Sequence, residues 1–150
     1  MCGIIGINSN KSVTGVILNS LRKLEYRGYD SAGVATLKDG IINETKCEGR
    51  VENLEKIIFK NKNEGSVGIG HVRWATHGQP SEVNAHPHSS EKVSVVHNGI
   101  IENSTLLKKH LIRAGHVFKS QTDTEVITHL ITEYLKKNDL KTSILKMLKR

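Results

Sequence analysis

Apolar positions along the chain alternate between strand-like runs and helical spacing. Residues 2–7, CGIIGI, form a short β-branched run that predicts a buried strand. Val13, Val16, Ile17, Leu21 and Leu24 then recur on one face of an amphipathic helix, and Gly28 breaks the pattern. Residues 34–37 and 41–46 predict two strands joined at Asp39-Gly40, a strong hairpin signal. A short helix is expected over 53–59. Strands are expected over 66–72 and 93–96, on either side of a long loop rich in His, Pro and Ser. Leu106, Leu107, Leu111 and Ile112 mark another helix, closed by Gly115. Thr122-Asp123-Thr124-Glu125 carries a capping-box pattern ahead of Val126, Ile127, Leu130, Ile131 and Leu135. A last helical pattern starts after Asp139 and reaches Arg150 with no stop signal. No internal repeat, low-complexity tract or linker interrupts this order, which reads as α+β or α/β.

At 150 residues the chain can bury one sizeable core. Its apolar fraction of 37% and charged fraction of 25% are those of a soluble globular protein. No apolar stretch is long enough to cross a membrane. The amino terminus lacks the basic segment of a signal peptide, and its apolar run ends at Asn8. The two cysteines, Cys2 and Cys47, lie far apart without motif spacing, which argues against a disulfide framework and for a reducing cytoplasm. The net charge of +7 raises the question of nucleic acid. Its excess sits in residues 101–150, on lysines such as Lys108, Lys109, Lys136 and Lys137 that alternate with apolar positions. That is the pattern of solvated helix faces, and few aromatics are present to stack bases. Neither nucleic acid nor a membrane is expected as a partner.

Cys2 carries the sharpest chemistry. Removal of the initiator methionine requires a small second residue, and cysteine is small enough. The processed chain would begin with a residue that holds both a thiol and a free α-amino group. An α-amino group titrates near about 8 and a thiol near about 8.5, so nucleophile and base would sit on one residue. The plain alternative is a buried cysteine that starts a strand. Gly3 and Gly6 favour the first reading, because they remove side chains where a ligand or another backbone could approach.

Four further stretches, LEYRGYDSAG (24–33), HVRWATHG (71–78), NAHPH (84–88) and HNGIIEN (97–103), join MCGIIGI in one ordered set. Together they resemble the amino-terminal, class II glutaminase domain of glutamine-dependent amidotransferases. Within that family they look most like the branch that aminates fructose 6-phosphate to glucosamine 6-phosphate. The resemblance is dense from Met1 to about Gly115 and looser to the end. It implies an α+β fold, a four-layer αββα sandwich of the N-terminal-nucleophile hydrolase type. It also implies hydrolysis of L-glutamine through a Cys2 thioester, with Asn98 and Gly99 as the oxyanion hole. Arg73, with Thr76 and His77, is expected to hold the glutamine α-carboxylate. Asp123 is expected to hold the α-ammonium, and Trp74 to cover the site on a loop.

These roles agree with what the residues can do. An arginine fork matches a carboxylate with two hydrogen bonds, where lysine offers a point charge. Asn-Gly predicts a tight turn, which would present fixed donors after a strand. From the residues alone Asp123 reads as a helix cap and Trp74 as a core side chain. His86 and His97 are expected to support the turns. His71, His86 and His88 match no standard zinc spacing, so no metal is expected, and glutamine hydrolysis calls for no cofactor. Arg27 and Asp30 are expected to form a polar network around Gly28. Cys47 is expected to be an inert thiol. The family's full-length enzymes carry a longer glutaminase domain, then a sugar isomerase domain that binds fructose 6-phosphate and forms a homodimer. Against that pattern residues 1–150 read as a truncated glutaminase domain without the isomerase domain. A catalytically silent glutamine-binding module paired with a separate synthase chain, and a basic interaction domain, are the alternatives.

Overall fold

The computed structural model describes residues 1–61, 63–75 and 78–150. Strand β1 (Gly3–Asn8) leads into helix α1 (Thr14–Leu24) and a 3-10 turn over Glu25–Arg27. Strands β2 (Ser31–Lys38) and β3 (Ile41–Glu48) form the hairpin expected at Asp39-Gly40, whose φ angles are 51° and 78°. Helix α2 (Val51–Asn61) and strand β4 (Val67–Arg73) complete the first half. Strands β5 (His88–Ser89) and β6 (Ser94–Val95) make a short ribbon. Helices α3 (Ser104–Arg113), α4 (Glu125–Leu135) and α5 (Leu140–Met147) follow.

The main sheet has the order β1-β4-β2-β3, with antiparallel pairing throughout. Strand β2 is central and buried on both faces, so it reads as a run of small and apolar residues, SAGVAT, rather than as an alternation. One face of the sheet takes α1 and α2. Ile17, Leu18, Leu21, Leu54 and Ile58 close over Val34 and Val72 there, all of them almost fully buried. A second apolar cluster joins Leu111 of α3 to Val126, Ile127, Leu130 and Ile131 of α4 and to Val93 beside the ribbon. The layers therefore run helix pair, sheet, ribbon and a layer of three helices, α3, α4 and α5. This is the expected αββα order, with the second sheet reduced to two residues per strand.

Helix ends decide several local details. Helix α3 ends in the Schellman pattern: His116 N–H donates to Leu111 O and Gly115 N–H to Ile112 O, with Gly115 at φ 94°. Asp139 caps α5 by accepting from Thr142 N–H at 2.7 Å. That helix ends at Met147, short of the Arg150 expected from the periodicity. The capping box expected at residues 122–125 does not form. Helix α4 begins after Thr124 with no side-chain cap. The Glu125 carboxylate instead accepts from the Lys119 and Ser120 N–H groups and from the Ser120 hydroxyl. It braces the loop before α4 and leaves Thr122 and Asp123 for other partners. Cys47 is buried against Val51, and burial pushes its thiol up to about 11, in keeping with an inert role.

Ile17 is fully buried beneath the sheet. An Ile17→Ala substitution should cost about 2–5 kcal/mol. Leu106→Ala, at an exposed position of α3, should stay within about 0.5 kcal/mol. Urea denaturation of both variants checks the pair.

Candidate active site

Register places Cys2. Gly3 of β1 pairs with Val72 of β4, so the residue before β1 lies against the residues that follow β4. Trp74 N–H donates to Cys2 Sγ at 3.3 Å, and the thiol lies 3.6 Å from Trp74 O. The other edge of β4 does the same for the YRGYDS segment, because Ser31 of β2 pairs with Arg73. Asp30 N–H donates to Arg73 O at 3.2 Å, and the Asp30 carboxylate accepts from Ala75 N–H. Gly28 lies so close to the Arg73–Trp74 peptide that a Cβ would come within 2.5 Å of Arg73 C. Of the polar network expected here, Asp30 supplies the bonds. The Arg27 side chain turns instead to Tyr26, its Nε 3.2 Å from the hydroxyl.

The turn after β6 closes the third side. The Asn98 Nδ2 group donates to Cys2 O at 3.3 Å, and Asn98 Oδ1 lies 2.9 Å from His71 Nε2. Gly99 sits over the His97 ring, where a Cβ would come within 2.7 Å of Nε2. His97 Nδ1 is in turn 3.3 Å from the Thr124 hydroxyl. Asp123 accepts from Ile101 N–H at 2.6 Å, so its carboxylate ties the start of α4 to the Asn98-Gly99 turn rather than capping its own helix. Cys2, Arg73, Trp74, His86, Asn98, Gly99 and Asp123 line one cavity of about 420 Å³. That volume suits a small metabolite.

Arg73 is the last residue of β4 and only 4% exposed. Its guanidinium reaches the carbonyls of Gly78 and Gln79, at 3.2 Å and 3.4 Å. It therefore belongs to the frame of the site as well as to the cavity wall. Trp74 is not a core side chain. Its indole is 49% exposed at the rim and meets Tyr29 edge-on at 5.7 Å. Thr76 and His77 lie outside the described residues. Sequence reasoning gave His71, Arg27, Ile100, Thr122 and Thr124 other roles or none, yet they line the same cavity. For His71 a signal was available, since it stands two residues before Arg73 on a strand and so shares its face.

At the cavity wall three histidine rings pack in a row, His71 tilted against His86 at 4.4 Å and His86 edge-on to His88 at 4.7 Å. Burial drives all three toward the neutral form: His71 falls to about 4, His88 to about 3 and His86 lower still. Gly33 makes room for this layer, because a side chain there would overlap the His86 carbonyl. His88 Nε2 lies 2.8 Å from the Thr122 hydroxyl. Burial pushes the Glu125 carboxyl up, but bonds from His129, Ser120 and Lys119 outweigh it and hold the group down at about 2. Among the described residues no three His, Cys, Asp or Glu side chains converge to hold a metal ion, and no helix is long and apolar enough to cross a membrane.

The sequence profile of the glutamine amidotransferase domain family matches residues 55–142. The chain belongs to that family. Among curated relatives of this amidotransferase domain, the glutamine–fructose-6-phosphate aminotransferase (isomerizing) of Clostridium acetobutylicum is 51% identical, over 100% of this chain and 25% of its own length. The proteins of that name from Mesorhizobium japonicum and Clostridium perfringens are 53% and 54% identical, each over 91% of this chain and 23% of their own length. The chain thus spans about a quarter of the relatives it matches. The glutamine phosphoribosylpyrophosphate amidotransferase from B. subtilis superposes with a TM-score of 0.82 at 29% identity, over 99% of this chain and 32% of that one. The allosteric regulatory enzyme of purine biosynthesis gives 0.84 at 28%, over 99% and 33%. These likenesses establish the N-terminal-nucleophile hydrolase fold for the amidotransferase domain.

The neutral histidine row makes the domain acid-sensitive. An unfolded histidine takes up a proton near about pH 6.5, whereas folded His71 resists to about 4. Between those values the unfolded state binds more protons, so stability falls as pH drops. Thermal denaturation should show a steep loss of Tm from pH about 6.5 to 4. A His88→Gln variant should show a shallower one.

Proposed function

We propose that residues 1–150 form a glutaminase domain that releases ammonia from L-glutamine through Cys2, within an enzyme that transfers the ammonia to fructose 6-phosphate. The observation that carries this reading is that Cys2, Asn98 and Arg73 line one cavity, with the Asn98 amide held 3.3 Å from Cys2 O. A sulfur nucleophile, an amide donor and a carboxylate fork are what acyl transfer from glutamine requires.

In the proposed reaction the Cys2 sulfur attacks the carboxamide carbon of glutamine and forms a C–S bond. Its proton passes to the α-amino group of Cys2, through a water, once Met1 has been removed. Met1 is 81% exposed at the mouth of the cavity, open to such processing. Asn98 Nδ2 and the Gly99 N–H stabilise the oxyanion, a type of donor worth about 10²–10³ in kcat. Collapse of the tetrahedral intermediate expels ammonia, which takes the proton back, and leaves a thioester. Water then cleaves the C–S bond and frees glutamate.

Arg73 holds the α-carboxylate, Asp123 the α-ammonium, and Trp74 shields the rim from water. Thr76 and His77 are assigned beside Arg73, and His86 supports the wall. Nothing in this chemistry calls for a metal or nucleotide. The aminotransferase reading further assigns fructose 6-phosphate to a sugar isomerase domain outside residues 1–150, a homodimer to the whole enzyme, and the cytoplasm as its place. Support comes from the relatives named glutamine–fructose-6-phosphate aminotransferase.

Intact mass of the purified chain should show that Met1 is absent. A glutamine-like electrophile should add one adduct, mapped to Cys2 and missing in Cys2→Ala. A folded chain that gives no adduct would remove the enzymatic reading in favour of a silent glutamine-binding module. Arg73→Lys, which keeps the charge but loses the fork, should raise KM for glutamine about 10-fold or more with a smaller change in kcat. An unchanged KM would overturn the carboxylate assignment.

A further inference from the structure

We infer that His71 is a positioning residue for the oxyanion hole: as the Nε2–H tautomer it fixes the Asn98 side chain so that its NH₂ group, held on the Cys2 side of the cavity, is the end offered to the oxyanion. This rests on the reading of Asn98 as an oxyanion donor. The geometry decides the orientation in three steps. The Cys2 carbonyl oxygen only accepts, so the Asn98 atom 3.3 Å from it is the NH₂ group. The remaining Asn98 atom, 2.9 Å from His71 Nε2, is then the oxygen, which also only accepts. His71 Nε2 must therefore carry a hydrogen. A fully buried imidazole held neutral has one N–H to give, and it is spent here. His71 Nδ1 makes no hydrogen bond of ordinary geometry among the described residues, although the His97 backbone also acts on the ring.

The arrangement needs such a clamp. Asn98 and Gly99 are exposed at the cavity mouth, on a turn between the two-residue strand β6 and helix α3. His71 lies on the twice-paired strand β4, with its ring backed by His86 at 4.4 Å. The clamp transfers the rigidity of the sheet to a turn that has little of its own. Donors preset toward a developing charge need no reorientation as the reaction proceeds. Without the clamp the amide can rotate and offer its oxygen to the oxyanion.

The test is a double-mutant cycle on glutamine hydrolysis by the full chain. His71→Leu removes the donor with little change in bulk, and should lower kcat about 10-fold or more while KM stays within about 2-fold. His71→Gln, whose amide can restore a donor, should recover most of that loss. In an Asn98→Ala background His71→Leu should cost less than about 2-fold further, because the group it positions is gone. Equal losses in both backgrounds, or a rise in KM in place of the fall in kcat, would overturn the inference and leave the Asn98 assignment standing. An Asn98→Ala chain with unchanged kcat would remove the oxyanion assignment itself. Imidazole ¹⁵N shifts of the unmutated chain give a second readout that needs no variant to fold and no turnover. His71 should show a protonated Nε2 and a bare Nδ1 at pH 7, and the reverse tautomer or a cation would overturn the inference.

Discussion

Strand β4 is hydrogen-bonded along both edges, and the site exists because of that double pairing. Pairing with β1 brings the amino terminus to the end of β4. Pairing with β2 brings the Gly28–Asp30 turn to the same point from the other side. A slip of one residue in either register would turn His71 and Arg73 toward α1 and expose Val72. The apolar face of the sheet forbids this, since Ile17 and Leu21 have no other surface to cover. The precision of the polar site is thus set by hydrophobic burial on the opposite side of the same strand.

The two faces of the sheet solve different problems. Beneath it the packing is mainly aliphatic, and the few buried polar groups, Thr14, Thr36, Thr45 and Asn63, bond to one another at one end. Above it, imidazoles, hydroxyls and carboxylates are taken out of water and must find partners. Serine and threonine hydroxyls link Glu125 to Ser120, Thr122 and His88, and Asn84 ties Gln79 to Gln121. These bonds join the loop before α4 to the wall of the cavity. The histidine row is the sheet-side part of this layer, and it stays neutral because an isolated charge there would be costly.

The αβ order was legible because its signals are local: helical periodicity in α1 and α4, Asp39-Gly40 at the hairpin, Gly115 at the end of α3. The capping box was misread for a physical reason. Thr122 and Glu125 satisfy the local pattern, but Ser120, Lys119 and His88 compete for the same groups and lie closer in the folded chain. Asp123 likewise gave up its helix for Ile101. Cys2, Arg73 and Asn98 could be singled out by residue type and motif. The bond between His71 and Asn98 could not, because it joins a strand to a turn across 27 positions and depends on how the layers stack. The exposed setting of Trp74 also depends on the end of β4 rather than on its own neighbours in the chain.

Cys2 Sγ is met by the main chain of Trp74, not by its indole. A side chain can be exchanged without touching the amide from which it hangs. Position 74 can therefore vary the rim of the cavity in size and polarity while the sulfur keeps its anchor. Proline is the exception, since it alone arrives without the hydrogen that the sulfur accepts.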